Sequence, residues 1–240
     1  SDEFDEDSSF GTPAVSPDKW NIETVAPDNG SWYNGELQYY TDKQDNIKVE
    51  DGLLKITAKR EDFQGKLYTS ARINTQDKFE FTYGRVEMRA KLPNWEGMWP
   101  AFWMLGDNIN QVGWPYSGEM DIAEIRGNEP TTTTSATHYS TVNSPNTCCN
   151  NHQYKVAALG VGADTSAGYH TYAVAWMPNS ISYYVDNRLI STTTPENLGG
   201  LWVFNSKFFL ILNNAVNQAF SGSWQNLQSS TMSIDWVSSY

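Results

Sequence analysis

The sequence predicts an all-β fold, and three observations support that prediction. Thr, Ser, Asn, Tyr, Trp and Val, which favour strands and turns, dominate the 240 residues. The long periodic apolar stretches that a helical bundle needs are missing. Residues 85–92 alternate apolar and charged side chains, as expected of a strand with one buried face. Because no repeat, low-complexity tract or linker divides the chain, residues 1–240 are expected to form a single domain.

Further strand candidates follow one another along the chain. Residues 1–35, rich in Asp, Ser, Pro, Gly and Asn, are expected to form an edge segment and loops. Residues 141–168 contain Pro, Asn and Gly throughout and suggest a long irregular loop. Besides 85–92, the predicted strands are 36–41, 46–49, 54–59, 118–127, 135–140, 169–177, 181–185, 208–215 and 232–237.

Charge and hydropathy narrow the expected partners. A formal net charge of -12 disfavours nucleic acid and anionic membranes, whereas a neutral polymer or a cation would be tolerated. No apolar run approaches the ~20 residues that span a bilayer. We expect no signal peptide within the printed sequence, because its start at Ser1 resembles that of a mature or trimmed chain. A monomer is expected, because no apolar stripe suggests an interface.

Two cysteines, Cys148 and Cys149, are adjacent in the chain. Neighbouring residues cannot adopt ordinary disulfide geometry without strain, so we expect two thiols in a loop, with a strained disulfide as the alternative. The cysteines alone therefore leave the redox compartment undecided.

The acidic segment 118–127 is the main candidate for chemistry. On a strand, Glu119 and Asp121 point to one face, while Glu124 falls out of phase with them. A β-bulge at residues 122–123 would insert one extra residue and return Glu124 to the shared face. The sequence thus suggests three carboxylates on one surface.

Such a cluster suits acid–base chemistry, because neighbouring carboxylates raise one another's pKa. If Glu119 and Glu124 lean together, their carboxyl groups could approach to about 5 Å, the separation associated with retaining glycosidases. The alternative is a solvent-facing strand with scattered acids.

An aromatic segment precedes these acids. Residues 93–105 contain three tryptophans, of which Trp99 and Trp103 could share one face of a strand. Each could belong to the core, or both could offer flat surfaces on which sugar rings stack.

Several motifs occur together in a recognisable order. The central ones are Gly-Glu-Met-Asp-Ile-Ala-Glu at 118–124 and Trp-Pro-Ala-Phe-Trp-Met-Leu at 99–105. Supporting motifs lie at 36–41, 68–72, 81–87, 170–172 and 234–237. With these motifs the chain resembles family 16 glycoside hydrolases, and within them the laminarinases, which are endo-acting β-1,3-glucanases.

The resemblance implies both a fold and a reaction. It implies a β-jelly-roll sandwich of two curved antiparallel sheets with an open concave substrate cleft. It also implies a secreted enzyme that cleaves β-1,3-glucan with retention of configuration and needs no cofactor for catalysis.

Residue roles follow from the same resemblance. Glu119 would be the nucleophile and Glu124 the general acid/base, with Asp121 tuning the pair. Trp99 and Trp103 would line the subsites beside the scissile bond. Polar sugar contacts are expected from Asn34, Glu36, Arg72 and His138. The alternatives are a structural ion pair for Arg72 and a satisfied core histidine for His138.

A structural calcium ion is also implied by the resemblance. Asp235 matches its side-chain ligand, with backbone carbonyls expected near Glu3 and Gly52. Oxygen ligands suit calcium, although an Asp in a final strand is often simply solvated.

Departures from the family pattern leave specificity open. Residues 213–218 and the loop around Cys148 do not follow the common pattern, and both could affect cleft shape. The alternative substrates are mixed-linkage β-1,3/1,4-glucan and a marine galactan such as agarose or carrageenan. A non-catalytic glucan-binding protein is a third possibility, but its relatives typically lack the glutamates retained at positions 119 and 124.

Overall fold

Seventeen strands and three short helices make up the regular structure of residues 1–9, 13–143, 145, 148–149 and 151–240, which the computed structural model describes. The strands are β1 (Asn21–Ile22), β2 (Gln38–Tyr40), β3 (Ile47–Glu50), β4 (Leu53–Phe63), β5 (Lys66–Ser70), β6 (Arg72–Asn74), β7 (Glu80–Phe81), β8 (Gly84–Lys91), β9 (Met98–Gly106), β10 (Glu119–Glu124), β11 (Thr132–Ser140), β12 (His152–Gly160), β13 (His170–Met177), β14 (Ser180–Val185), β15 (Arg188–Thr193), β16 (Phe208–Val216) and β17 (Ser229–Ser239). The helices are α1 (Ile109–Val112), α2 (Pro195–Leu198) and α3 (Gln218–Ser221). Among these described residues, no helix is long and apolar enough to cross a bilayer.

Within the described part of the chain, the strands form two sheets. The first, which we call the cleft sheet, has the order β1-β6-β16-β9-β10-β11-β12, and β7 also pairs with β16. The second, the outer sheet, has the order β15-β14-β13-β8-β17-β4-β5-β2, with β3 paired to β4. The predicted two-sheet sandwich is confirmed, and it carries one parallel pair, β2 with β5, beside its antiparallel ladders.

Apolar side chains from both sheets form one large core. Phe102 on β9 and Met120 on β10 are fully buried in it, as are Val86 and Met88 on β8. The predicted alternation in 85–92 therefore supplies the inner face of a strand in the outer sheet. Fully burying such a side chain stabilises the fold by roughly 1.5–3 kcal/mol. Core packing therefore stabilises the positions of strands β9 and β10.

The expectation of an irregular loop over 141–168 is wrong for part of that range. Strand β12 occupies His152–Gly160 and pairs with β11 along its whole length. Most of its side chains are exposed, because β12 is the edge strand of the cleft sheet. An edge strand without a buried face lacks the alternation that would reveal it in the sequence.

The expectation of two free thiols is also wrong. Cys148 and Cys149 form a disulfide between adjacent residues, in the connection between β11 and β12. The backbone carbonyl of Cys149 accepts a hydrogen bond from the amide of His152 at 3.2 Å. The disulfide thus adjoins the first residue of β12.

The predicted β-bulge is present in β10. Asp121 pairs with Trp103 and Ala123 with Phe102, so β10 advances two residues while β9 advances one. Ile122 and Ala123, although consecutive, are both buried in the core. The extra residue at 122–123 therefore returns Glu124 to the face of Glu119 and Asp121.

Truncating the bulge side chain should destabilise the fold. We expect Ile122→Ala to lower the free energy of unfolding by about 2–5 kcal/mol, because it leaves a cavity in the core. The matched control is Val156→Ala on β12, where the side chain is 54% exposed and the expected loss is less than about 1 kcal/mol. Urea unfolding followed by tryptophan fluorescence measures both, and equal losses would contradict the assigned burial.

Candidate active site

The three carboxylates of β10 face away from the core, into one site on the cleft sheet. One oxygen each of Glu119 and Asp121 and one ring nitrogen of His138 lie within 4.8 Å of one another. Glu124 is close enough for the charge of Glu119 to raise its pKa. The structure therefore brings together the three acids that the sequence singled out.

Glu119 has two neighbours that favour its charged form. The indole nitrogen Nε1 of Trp114 donates a hydrogen bond to Oε2 at 2.8 Å. The ring nitrogen Nε2 of His138 lies 3.9 Å from Oε1. Burial, followed by the charge of Asp121, nevertheless raises the pKa of Glu119 well above its ordinary value.

Asp121 lies deepest of the three, with only 3% of its surface exposed. Its Oδ2 atom lies 2.8 Å from Nε2 of His138. Burial, followed by the charge of Glu124, raises the pKa of Asp121 well above its ordinary value. Glu119 and Asp121 lie so close together that a negative charge on one opposes ionisation of the other.

Glu124 occupies the other end of the cluster. Its Oε1 atom accepts a hydrogen bond from Nε1 of Trp99 at 2.8 Å. Burial raises the pKa of Glu124 to about 7, although the Trp99 hydrogen bond acts in the opposite direction. The Trp99 ring also packs against Phe220 of α3, with 4.4 Å between centroids. A carboxyl group with this pKa can hold or release a proton near neutral pH.

His138 connects the acids to the edge of the sheet. Its Nδ1 atom lies 2.8 Å from Nε2 of His152, and the two rings are stacked. The Trp114 ring contacts His152 at 4.5 Å between centroids. Both ring nitrogens of His138 therefore have partners, and its side chain, which is 20% exposed, faces the carboxylates.

Trp103 is held by contacts on the opposite side of β10. Its Nε1 atom donates to Oδ1 of Asn213 at 2.7 Å, and Asn213 in turn donates to the hydroxyl of Tyr40. The guanidinium of Arg72 lies 4.8 Å from the Trp103 ring centroid. Arg72 also forms an ion pair with Glu23 at 2.9 Å. Arg72 therefore takes part in a structural ion pair and also contacts the Trp103 ring.

Two predicted sugar contacts differ in accessibility. Asn34 is exposed in a turn, and its carbonyl accepts a hydrogen bond from Nδ2 of Asn217 at 2.7 Å. Glu36 is only 5% exposed and accepts from Nε2 of Gln38 at 3.0 Å. Burial raises the pKa of Glu36 to about 7, and the carboxyl group has little exposed surface with which to contact a sugar directly.

The expected calcium residues lie elsewhere. Asp235 is on β17 of the outer sheet and forms an ion pair with Arg89. Glu3 is exposed and Gly52 half-buried. A separate acidic group, Asp77, Glu80 and Asp107, has carboxylate oxygens within 4.8 Å of one another; such groups are common without an ion.

Several residues at the site were missed by sequence reasoning. They contact the predicted residues through rings or hydrogen bonds: Glu23, Trp114, His152, Tyr154, Asn213 and Phe220. Because no residue of β12 is fully buried, no alternation of buried and exposed positions marked His152 and Tyr154. Trp114 and Phe220 lie in a loop and a short helix, where no periodicity marks them.

Comparisons with known proteins agree with this geometry. The model of the family "Glycosyl hydrolases family 16" matches residues 34–238. The clotting factor G alpha subunit of Tachypleus tridentatus is 36% identical over 100% of this chain and 33% of that relative. The beta-glucanase of Rhodothermus marinus is 37% identical over 92% of this chain and 76% of that relative. The chain thus spans about a third of the first relative's length.

A solved structure is similar over the whole chain. LamA from Z. galactanivorans, as a variant in complex with laminaritriose and laminaritetraose, has a TM-score of 0.86 and 34% identity, covering 100% of this chain and 96% of that one. This likeness confirms the predicted jelly-roll sandwich. Because the family model and these relatives cover most of its length, the chain belongs to glycosyl hydrolase family 16.

Proposed function

We propose that this protein is a retaining endo-hydrolase of β-1,3-glucan. The observation that carries the proposal is the bulge in β10, which returns Glu124 to the face of Glu119 and Asp121, with a separate hydrogen-bond donor for Glu119 and for Glu124. The similarity to a structure with bound laminaritriose and laminaritetraose supports β-1,3-linked glucose as the substrate. Family 16 hydrolases need no cofactor for catalysis.

The reaction has two steps. In the first, a carboxylate oxygen of Glu119 attacks the anomeric carbon while Glu124 gives its proton to the departing glycosidic oxygen. In the second, Glu124 takes a proton from water, and the resulting hydroxide oxygen displaces Glu119 from the same carbon. Two inversions at one carbon give net retention.

The surroundings of the two glutamates support this division of roles. Glu119 receives the Trp114 N–H and faces His138, and both favour the charged form that a nucleophile needs, against the burial and the Asp121 charge that raise its pKa. Glu124, with a pKa raised to about 7 by burial, keeps a proton that it can donate near neutral pH.

Asp121 would tune the pair. Because burial and the charge of Glu124 raise its pKa, Asp121 favours a shared proton over full ionisation beside Glu119. Its position against Nε2 of His138 would also hold that imidazole toward Glu119.

Sugar binding would involve the aromatic residues beside β10. Trp103 is fixed by a hydrogen bond to Asn213 and by the Arg72 guanidinium packed on its ring, and a sugar ring would stack on the part of the indole outside that contact. Trp99 would line the cleft beside Glu124. Polar contacts would come from His138 and the exposed Asn34, while buried Glu36 would act by orienting neighbours.

We further infer that residues 1–240 form one catalytic unit that acts outside the cell as a monomer. The shared core includes residues from Phe4 to Val237, which supports a single unit. The Cys148–Cys149 disulfide is typical of an oxidising compartment, as is expected of an enzyme that meets a polysaccharide.

The first test is a substrate panel of laminarin, barley β-glucan, agarose and carrageenan. We expect the parent protein to release short β-1,3-oligosaccharides from laminarin, because the cluster supplies both a nucleophile and an acid. The Glu119→Ser variant should lose this activity almost completely while still binding laminarin. Preference for another polymer would contradict the glucan assignment, and full activity of the variant would contradict the mechanism.

The pH dependence provides a second prediction. A general acid works only while protonated, so kcat/KM on laminarin should fall as pH rises through about 7, the pKa of Glu124. Trp99→Phe removes a hydrogen bond that lowers this pKa, and should therefore move the alkaline limb to higher pH.

Trp95→Phe is the matched control for this shift, since Trp95 is 49% exposed and precedes β9. Its alkaline limb should coincide with that of the parent. Reducing-sugar assays from pH 5 to about 10 resolve the limb, and an unmoved limb in Trp99→Phe would assign it to another group.

We also infer that one structural calcium ion binds on the outer sheet near Glu3, Gly52 and Asp235. Backbone pairing supports their proximity, because Ile234 pairs with Leu54 and Asp2 forms a bridge with Val237. Two carbonyl oxygens and one carboxylate oxygen are ligands that calcium accepts.

Arg89 contacts Asp235, the side-chain ligand of the proposed calcium site. Its guanidinium forms an ion pair with Oδ2 of Asp235, so calcium would compete with that cation for one carboxylate oxygen. Affinity would then be moderate, with water completing the coordination shell.

Calcium should therefore stabilise the fold without joining in catalysis. At roughly 100 times the dissociation constant, we expect Ca²⁺ to raise Tm by about 5–10 °C relative to EDTA. Asp235→Asn should abolish the difference. Differential scanning calorimetry measures it, and identical Tm values in Ca²⁺ and EDTA would overturn the inference.

A further inference from the structure

We propose that Tyr154 forms a glucose-binding subsite of the cleft, on the opposite side of the catalytic strand β10 from Trp103. The inference deepens the proposed function, on which it rests. The ligand class is a β-linked glucosyl unit of the same polysaccharide, bound beyond the scissile bond.

The backbone register places Tyr154 in line with the acids. Glu119 pairs with His138 across β10 and β11, and His138 pairs with Tyr154 across β11 and β12. Directly paired residues of neighbouring strands share one face of a sheet. Tyr154 therefore lies on the cleft face, two strand spacings or about 10 Å from Glu119.

The predicted sugar-binding residues lie mainly on the other side. Trp103 belongs to β9, its partner Asn213 to β16 and Arg72 to β6. An endo-acting hydrolase cuts within a chain, so sugar units must rest on the sheet on both sides of the cleaved bond. Strands β11 and β12 are the part of the sheet that these units would cross.

The Tyr154 ring is both supported and accessible. Its centroid lies 5.6 Å from that of His138 and 5.7 Å from that of His152, and the rings are tilted by 30° and 25°. The side chain is nevertheless 57% exposed. A ring held against two imidazoles and open to solvent is suited to stacking with another flat, partly apolar surface.

The support for this ring is connected to the catalytic carboxylates. His152 lies at hydrogen-bond distance from His138 and contacts Trp114, while His138 reaches Asp121 and Trp114 reaches Glu119. Tyr154 thus packs against His138 and His152, whose contacts fix their positions relative to the catalytic carboxylates. A sugar stacked there would be placed accurately along the cleft.

A glucosyl unit fits the chemistry of this surface. The axial C–H groups of a β-glucose ring form an apolar face that packs on an aromatic ring, and its equatorial hydroxyls remain free for polar contacts. The phenol hydroxyl of Tyr154 and the edge of His152 supply hydrogen-bonding groups beside that face.

The test is a chain-length series of β-1,3-gluco-oligosaccharides with the Tyr154→Ala and Tyr154→Phe variants. For Tyr154→Ala we expect kcat/KM to fall about tenfold on the longer oligosaccharides, which reach the ring, and to stay within about twofold on the shortest one cleaved. The preferred cleavage position should also shift. Tyr154→Phe keeps the ring and should retain most of the activity.

Val156→Ala is the matched control, because Val156 is the next exposed residue on the same face of β12. It should leave the whole series within about twofold of the parent. Equal loss by Tyr154→Ala at every chain length would indicate a disturbance of His138 instead of a lost subsite. No loss at any length would also overturn the proposal.

Binding measurements separate this proposal from the proposed function. In a Glu119→Ser background, Tyr154→Ala should weaken binding of a long β-1,3-gluco-oligosaccharide about tenfold by calorimetry. If the parent protein cuts none of the series but the binding loss appears, the hydrolase proposal fails and the subsite stands. If binding is unchanged by Tyr154→Ala, the subsite is wrong whatever the parent cleaves.

Discussion

Three carboxylates share one largely buried face of a single strand, and the rest of the cleft is arranged around the electrostatic cost of that placement. Like charges a few ångströms apart, shielded from water, oppose each other's ionisation and raise each pKa. Each acid has a different neighbour. Trp114 donates a hydrogen bond to Glu119 and Trp99 donates one to Glu124, while Nε2 of His138 lies 2.8 Å from Oδ2 of Asp121.

The sandwich makes this arrangement possible because it holds β10 from all sides. Strands β9 and β11 pair with its two edges, while the core packs against its inner face. The bulge depends on that core, because the consecutive side chains of Ile122 and Ala123 are both buried in it. The extra residue then places Glu124 on the outward face. The chemistry on one face therefore depends on apolar packing on the other.

The cleft differs on the two sides of β10. Toward β16, Asn213 accepts a hydrogen bond from Trp103 and donates one to Tyr40, so it braces the Trp103 ring. Toward β12, the stacked rings of His138 and His152 and the ring of Tyr154 form a row of aromatic contacts from the acids to the edge of the sheet. The disulfide between the neighbouring residues Cys148 and Cys149 lies in the connection that leads into β12.

The sequence by itself determined the fold class, the bulge and the three acids, because alternation and its interruption are local properties of consecutive residues. It also marked Trp99 and Trp103 as candidates for the same site. Only the tertiary structure decided which residue donates to which carboxylate and which ring supports His138, since Trp114 comes from a loop and His152 from an edge strand without periodicity. It likewise separated exposed Asn34 from buried Glu36. Burial and pairing depend on residues distant in the chain, and these long-range contacts leave no local pattern to read.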